Sequence, residues 1–210
     1  MARSNNFFRF TAKLGDVTYY YIKGKPCVRR LPACKTGNAS PDQTAIQAKF
    51  AMASKFVRCL SPLLAITIPE KKGMTKTNMV TSHILNNAML GTYPDLRIDY
   101  NSIFISKGSL SNVYEATINY QSRNVVFTWS YDIEDHCGDA KADDKAILVI
   151  YCESLNECIY SVNHINRSAG TASFPVLKFL GHKVQTWIGF ISASGKRISN
   201  STYTGYLFIT

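Results

Sequence analysis

The chain has 210 residues, 46% of them hydrophobic and 18% charged, and it carries a formal net charge of +10 at pH 7. A chain of this length and composition can bury a sizeable core as one large domain or two small ones, so it needs neither disulfides nor a structural metal to fold. No apolar segment in the sequence is long and continuous enough to predict a standard secretory signal or a transmembrane helix. We therefore expect no membrane insertion. The sequence does not determine the localisation. An extracellular or particle-associated location reached by a non-standard route is one of the open alternatives.

The positive charge is concentrated at the N-terminal end. Residues 1–76 carry fourteen Lys or Arg and three Asp or Glu, a net charge of +11, whereas residues 77–210 carry a net charge of −1. This asymmetry indicates a partner of opposite charge, because a basic surface concentrates acidic molecules near itself. The expected partners are a nucleic acid or the acidic surface of a neighbouring subunit.

The first predicted elements are strands. Segments 6–12 and 17–23 are rich in aromatic and β-branched residues, and Leu14-Gly15-Asp16 lies between them, a pattern typical of a β-hairpin. Residues 27–31 predict a third short strand, which Pro32 ends.

Two helices are predicted next. Ser40-Pro41-Asp42-Gln43 is typical of a helix start, with Ser at the N-cap, Pro at the first helical position and Gln at the third. Apolar residues then recur at intervals of three and four up to Leu64, and so wide an apolar stripe predicts burial against more than one neighbour. Pro62 is expected to end or kink this helix. A second helix is predicted at 77–90, with Gly91 as its C-terminal cap.

From residue 93 onward the pattern changes to short strands separated by turn residues. Seven or eight strands at this spacing indicate an antiparallel β-sandwich of the immunoglobulin or fibronectin type III kind, with Trp129 and Trp187 in its core. The predicted fold is α+β and mostly β, with a basic hairpin-and-helices region at 1–92 and a sandwich domain at 93–210. The boundary is soft, and a single unit stays open as an alternative. The predicted strands are 96–105, 113–119, 124–130, 145–151, 157–162, 171–177, 183–192 and 202–209.

No residue pattern in the sequence indicates an enzyme. Segment 189–196 superficially resembles a phosphate-binding loop, but its spacing is one residue too long and no helix is predicted after it, so a β-turn is expected. Asp135-His136-Cys137 lacks the geometry of a Cys–His nucleophile, since neighbouring side chains in a short loop diverge. The six cysteines do not have the spacing of zinc ligands. We predict a non-enzymatic protein with no cofactor and no metal.

Three groups of residues are candidates for contact with a partner. Basic and tyrosine side chains of the N-terminal end can bind phosphates and bases, protect a strand edge from aggregation, or contact another subunit. The acidic group is expected in a solvated loop, where it could meet the basic end of a neighbouring subunit, and its spacing disfavours a Ca²⁺ site. The candidates are Lys23, Lys25, Arg29, Arg30, Lys35, Lys49, Lys55 and Arg58 (basic), Tyr19, Tyr20 and Tyr21 (aromatic), and Asp132, Glu134, Asp135, Asp139, Asp143 and Asp144 (acidic).

Short motifs are spread over nearly the whole chain. They include Gly24-Lys25, Val28-Arg29-Arg30-Leu31-Pro32, Gln47-Ala48-Lys49-Phe50, Gly91-Thr92-Tyr93-Pro94-Asp95, Ser106-Lys107-Gly108, Asp144-Lys145-Ala146, Arg167-Ser168, Ile188-Gly189-Phe190-Ile191-Ser192 and Ser199-Asn200-Ser201. Together these motifs resemble a large bacterial family known as a domain of unknown function. The resemblance implies a basic N-terminal segment with helices, followed by a sandwich similar to fibronectin type III modules. It implies no catalytic residues.

Three functions of different classes follow as hypotheses. The leading one is a structural subunit that self-assembles into a filament, tube or particle, through exchange of terminal strands and contacts between basic and acidic patches. The second is a nucleic-acid-binding or packaging protein that uses the basic N-terminal region. The third is a carbohydrate-binding or adhesion module, which rests on analogy with other sandwiches.

Overall fold

Two compact units make up the chain, Met1–Ser40 and Pro41–Thr210. Among the described residues the structure is mostly β, with 40% strand and 26% helix, and it contains two helices and several antiparallel sheets. The predicted α+β, mostly β class is therefore confirmed. The structure does not test whether residues 1–92 and 93–210 fold independently, so the predicted division at residue 92 stays a prediction. The computed structural model describes residues 2–3, 11–22, 24–31, 39–131 and 139–210.

The described part of the N-terminal unit is one antiparallel sheet. Its strands are β1 (Ala2–Arg3), β2 (Ala12–Leu14), β3 (Val17–Ile22) and β4 (Lys25–Arg30), in the order β1-β4-β3-β2. Gly15 turns the chain between β2 and β3 with a φ of 58°, a conformation that glycine adopts without steric cost. The predicted hairpin and third strand are confirmed where the structure describes them. Residues 6–10 of the first predicted strand and Lys23 lie outside the described residues.

The first helix, α1, spans Pro41–Thr67 and does not end at Pro62. A proline inside a helix removes one backbone hydrogen bond and costs about 3 kcal/mol, which is why the sequence predicted an end or a kink there. The turn that follows it is held by burial instead: Leu63 and Leu64 are fully buried, and the Thr67 hydroxyl donates to the Ile105 carbonyl over 2.6 Å. Tertiary packing thus carries the helix past the proline.

The second helix, α2, spans Lys76–Asn87 and ends before the predicted Gly91. Thr75 caps its N-terminus, because its hydroxyl accepts a hydrogen bond from the Asn78 amide over 3.2 Å. The next residues form a short strand, β5 (Met89–Leu90), which pairs with β6 (Arg97–Ile98). The predicted strand at 96–105 is therefore wrong beyond residue 98, where a 3-10 turn at Tyr100–Ser102 follows.

Seven further strands form two antiparallel sheets in the described part of the second unit. The strands are β7 (Tyr114–Gln121), β8 (Asn124–Ser130), β9 (Lys145–Cys152), β10 (Glu157–Ser161), β11 (Thr171–Pro175), β12 (Lys183–Ile191) and β13 (Thr202–Phe208). The four-stranded sheet has the order β10-β9-β12-β13, and the three-stranded sheet has the order β11-β8-β7. These bounds lie within one or two residues of the predicted ones.

The second unit has three layers around two apolar cores. One core lies between the two sheets and contains Phe127 and Trp129 of β8 against Leu148 of β9. The other lies between the helices and the opposite face of the four-stranded sheet, where Phe56 of α1 packs with Trp187 of β12. The four-stranded sheet is therefore buried on both faces at β9 and β12. This explains why β9 and the second half of β12, from Trp187 to Ile191, are continuous apolar runs rather than alternating ones.

One helix in the described part of the chain, α1, is long and apolar enough to cross a membrane, as judged by length and composition alone. Core helices pass the same test, and 39% of the most apolar window of α1 is buried inside the structure.

Candidate functional site

The predicted basic and aromatic residues of the N-terminal sheet are divided between its two faces, and each face carries residues of both kinds. Tyr20 pairs with Cys27 across β3 and β4, and strand alternation therefore puts Tyr20 on the face that carries Lys25 and Arg29. The Arg29 guanidinium lies 5.7 Å from the centre of the Tyr20 ring, within the range of a cation–π contact. We call this surface the Tyr20 face.

Arg30 lies on the opposite face with Tyr19 and Tyr21. This assignment follows from the pairing of Val17 with Arg30 and of Tyr19 with Val28. The Arg30 guanidinium forms an exposed ion pair with Asp16 over 3.4 Å, a contact that contributes little to stability. The remaining predicted basic residues of this end, Lys23 and Lys35, lie outside the described residues.

The N-terminal sheet has little apolar core among its described residues. Among the unit's described residues, Cys27 is the one hydrophobic residue that is buried, at 8% exposure. Leu14 is 67% exposed, and Tyr21 and Ile22 are exposed as well. A unit of 40 residues usually needs a disulfide, a metal or a partner surface for stability.

Two of the three basic residues predicted on α1 lie together. Lys55 and Arg58 are exposed one turn apart, and they border a shallow cavity with Phe50, Ser54 and Asn156. Lys49 is half-buried and lies six residues from Lys55, which places the two on different sides of the helix.

The predicted acidic group is only partly on the surface. Asp139 forms an ion pair with Arg197 and accepts hydrogen bonds from the Ser111 amide and hydroxyl. Asp143 is exposed, but Asp144 is buried and lies 3.9 Å from the Arg167 guanidinium. Asp144 therefore supplies internal structure rather than the predicted subunit contact. The other members, Asp132, Glu134 and Asp135, lie outside the described residues.

Arg167 joins several segments of the second unit. Its guanidinium donates to the Ser111 carbonyl over 3.0 Å and to the Asn112 carbonyl over 2.6 Å, and it lies 4.2 Å from the centre of the Phe190 ring. Burial lowers the pKa of Arg167 below its usual range, and the charge of Asp144 opposes this shift. The Asp144 and Arg167 motifs of the sequence thus meet inside the fold.

A buried serine junction brings two other motifs together. The Ser106 hydroxyl donates to the Ser199 carbonyl over 3.0 Å, and the Ile105 amide donates to the Ser201 hydroxyl over 2.8 Å. A Cβ at Gly108 would lie 2.1 Å from the Ile198 carbonyl oxygen, so only glycine fits there. These motifs hold the segment after α2 against the segment before β13, a structural role.

A polar cavity lies at one end of the four-stranded sheet. Its lining comes from the turn after β9 and from the start of β12 with the turn before it. His182 forms a hydrogen bond with Ser154 over 2.8 Å at this cavity. No sequence pattern marks the site, because its residues are distant in the chain. The lining residues are Glu153, Ser154, Gly181, His182, Lys183 and Gln185.

The described cysteines are free thiols. Cys158 of β10 donates to the Cys59 carbonyl of α1 over 3.2 Å, and hydrogen bonding to Cys59 together with burial raises the pKa of Cys158. No group of three or more His, Cys, Asp or Glu that could hold a metal ion occurs in the described part of the chain. Segment 189–196 is the end of β12 followed by a turn, and Asp135-His136-Cys137 lies outside the described residues.

These features define a β-rich protein with two packed sheets, a helical layer and a small basic sheet. The chain belongs to a family of unknown function, DUF6266, whose sequence model matches residues 9–205. The resemblance to a domain of unknown function is thereby confirmed. A search of curated proteins found no match.

Proposed function

We propose that the protein is a non-enzymatic structural subunit that self-assembles into a filament, tube or particle. The observation that carries this proposal is the N-terminal sheet, whose described residues expose apolar side chains and bury almost none. A sheet of this size gains stability when its open face is covered by another surface. The proposed cover is a second copy of the chain.

Charge supports the same arrangement. The unit Met1–Ser40 carries eight Lys or Arg and one acid, a net charge of +7, and the rest of the chain a net charge of +3. Exposed acids of a neighbouring second unit, such as Asp143, would offer complementary contacts. Because such contacts are exposed, the assembly should weaken as salt rises.

The C-terminal strand supports exchange between copies as a route to assembly. β13 is an edge strand that pairs with β12 from Lys183 to Ile188, and Ile209 just after it is fully buried. An exchanged β13 would make the same contacts in a neighbour, so exchange adds no new packing requirement.

We also infer that the two sheets form a sandwich of the immunoglobulin or fibronectin type III kind. In support, the first, second and fifth of its seven strands lie in one sheet, and the third, fourth, sixth and seventh lie in the other. Chains that cross repeatedly between two packed antiparallel sheets are typical of that class.

The first prediction tests the proposed cover. In the full chain, Leu14→Glu places a charge at an exposed apolar position of the N-terminal sheet. It is expected to weaken self-association at least about tenfold, since burying an unpaired charge in the contact between copies is costly. Sedimentation velocity would follow the shift toward the 23.5 kDa monomer, and negative-stain electron microscopy would follow the loss of regular assemblies.

Leu155→Glu is the matched control, because Leu155 is an exposed leucine of the second unit. It should leave association unchanged. A wild-type chain that remains a single monomeric species from low to high salt and over a wide concentration range would contradict the proposal.

Nucleic-acid binding is the second candidate function, and the Tyr20 face favours it. Lys25, Arg29 and Tyr20 combine phosphate-binding charges with an aromatic ring on one sheet surface. Such surfaces bind single strands by electrostatic contact and base stacking.

The second prediction compares substitutions of adjacent residues that lie on opposite faces of the N-terminal sheet. If the Tyr20 face binds a single strand, Tyr20→Ala and Arg29→Ala should each weaken binding of a fluorescent oligothymidine about tenfold, whereas Tyr19→Ala and Arg30→Ala should change it little. Fluorescence anisotropy at several salt concentrations would measure both the affinity and its salt slope. Equal losses for the two faces, or binding that does not depend on salt, would exclude this interface.

A further inference from the structure

The polar cavity at the end of the four-stranded sheet has the arrangement of a ligand site. Its volume is about 390 Å³, within the range of about 300–1,000 Å³ that small-molecule sites occupy. Three of its lining side chains, Ser154, His182 and Gln185, are oriented by hydrogen bonds.

Gln185 is the best-oriented of these side chains. It is a buried polar residue, and its Oε1 accepts a hydrogen bond from the Tyr203 hydroxyl over 2.5 Å. This contact fixes the amide, and no hydrogen bond within the described part of the chain uses the Gln185 Nε2 donor. Nε2 is therefore available to a molecule in the cavity.

His182 and Glu153 complete the polar wall. The Ser154 hydroxyl holds Nδ1 of His182, which leaves Nε2 of that ring for a ligand. Burial raises the pKa of Tyr100, and the negative charge of Glu153 is a second cause of the same shift. The Tyr100 hydroxyl is buried close to Glu153.

Aromatic rings lie beside the polar wall on the same face of the sheet. Tyr206 pairs directly with Gln185, and Phe208 pairs directly with Lys183, so each pair shares one face. The two rings are 60% and 59% exposed. The Lys183 ammonium lies 3.6 Å from the centre of the Tyr206 ring, a cation–π contact that covers one face of that ring.

We propose that this cavity binds a neutral sugar, with Glu153, His182, Lys183 and Gln185 contacting its hydroxyl groups and Tyr206 contacting a nonpolar face of the ring. A sugar hydroxyl both donates and accepts, so it suits a wall where a carboxylate, an ammonium, an amide donor and an imidazole stand side by side. Exposed aromatic rings supply the apolar surface for the C–H side of the sugar.

The balance of charge argues for a neutral ligand. One carboxylate and one ammonium line the cavity, so an anion would be opposed by Glu153 and a cation by Lys183. A zwitterion such as an amino acid satisfies both charges, but it leaves the exposed rings of Tyr206 and Phe208 without a contact.

The test uses the full chain with glucose, galactose, mannose, N-acetylglucosamine and glycine as separate probes. Saturation-transfer-difference NMR should give a dissociation constant on the order of 1 mM for at least one sugar, because an open site buries little of a monosaccharide. Glu153→Gln should weaken that sugar about tenfold, the loss expected when a hydrogen bond to a charged group is replaced by a neutral one.

Matched substitutions locate the site. Glu157→Gln, at an exposed ion pair with Lys178 on β10, should change the dissociation constant less than about twofold. Tyr206→Ala should weaken binding and Tyr160→Ala, on the opposite edge strand, should not. Circular dichroism confirms that each variant is folded. Absence of binding by all four sugars, binding of glycine in their place, or equal effects of the two Glu variants would overturn the proposal.

Discussion

Arg167→Ala is expected to lower the free energy of unfolding by about 3–5 kcal/mol, the loss that follows when one partner of a buried ion pair is removed. The variant leaves the buried Asp144 carboxylate without its cation. It also leaves the Ser111 and Asn112 carbonyls without their donor and opens the contact with Phe190. Denaturant unfolding followed by circular dichroism measures the change, with the slope checked for two-state behaviour.

Two comparisons separate the buried charge from a general loss of arginine. Arg197→Ala removes a cation from the exposed pair with Asp139 and should cost less than about 1 kcal/mol. The double substitution Arg167→Met with Asp144→Leu removes both charges and keeps apolar volume, so it should be clearly more stable than Arg167→Ala alone. An Arg167→Ala loss below about 1 kcal/mol would mean that water replaces the guanidinium, contrary to the burial seen here.

Phe56→Ala is expected to cost about 3–5 kcal/mol as well, for a different reason. Phe56 is fully buried and meets Tyr151 edge-to-face, with ring centres 4.8 Å apart and an interplanar angle of 87°. It also contacts Tyr100 and Trp187, so its removal empties the centre of the core between α1 and the sheet. Thermal unfolding should show a midpoint lower by roughly 10 °C for a chain of this size.

Phe50→Ala is the matched control on the same helix. Phe50 is 56% exposed, so its truncation should change the free energy of unfolding by less than about 0.5 kcal/mol. Similar losses for the two variants would show that the helix does not dock through Phe56, and they would contradict the layered arrangement described above.

Much of the fold could be predicted from local patterns. The strands at 124–130, 145–152 and 183–191 agree closely with the predicted ones, because each is a β-branched or apolar run bounded by turn residues. The start of α1 was equally readable from its capping residues. Both signals are short-range and need no knowledge of distant contacts.

The errors share a physical cause, which is the influence of contacts between residues distant in the chain. Pro62 does not end α1, because the residues after it are buried against the core, and the predicted kink stays a prediction. Asp144 reads as one more acid in a loop, and its burial depends on Arg167, which follows a separate strand. The cavity residues also come from segments whose meeting depends on sheet order, which no local pattern reveals.

Burial of the four-stranded sheet on both faces also governs how the molecule tolerates change. In β9 and β12 almost every successive side chain is enclosed, so neither strand has a free face on which single substitutions are neutral. Variation that preserves the fold must therefore concentrate at the turns and outer strands. New binding properties in this architecture would arise at the ends of the sheets, while the middle of the molecule stays the same.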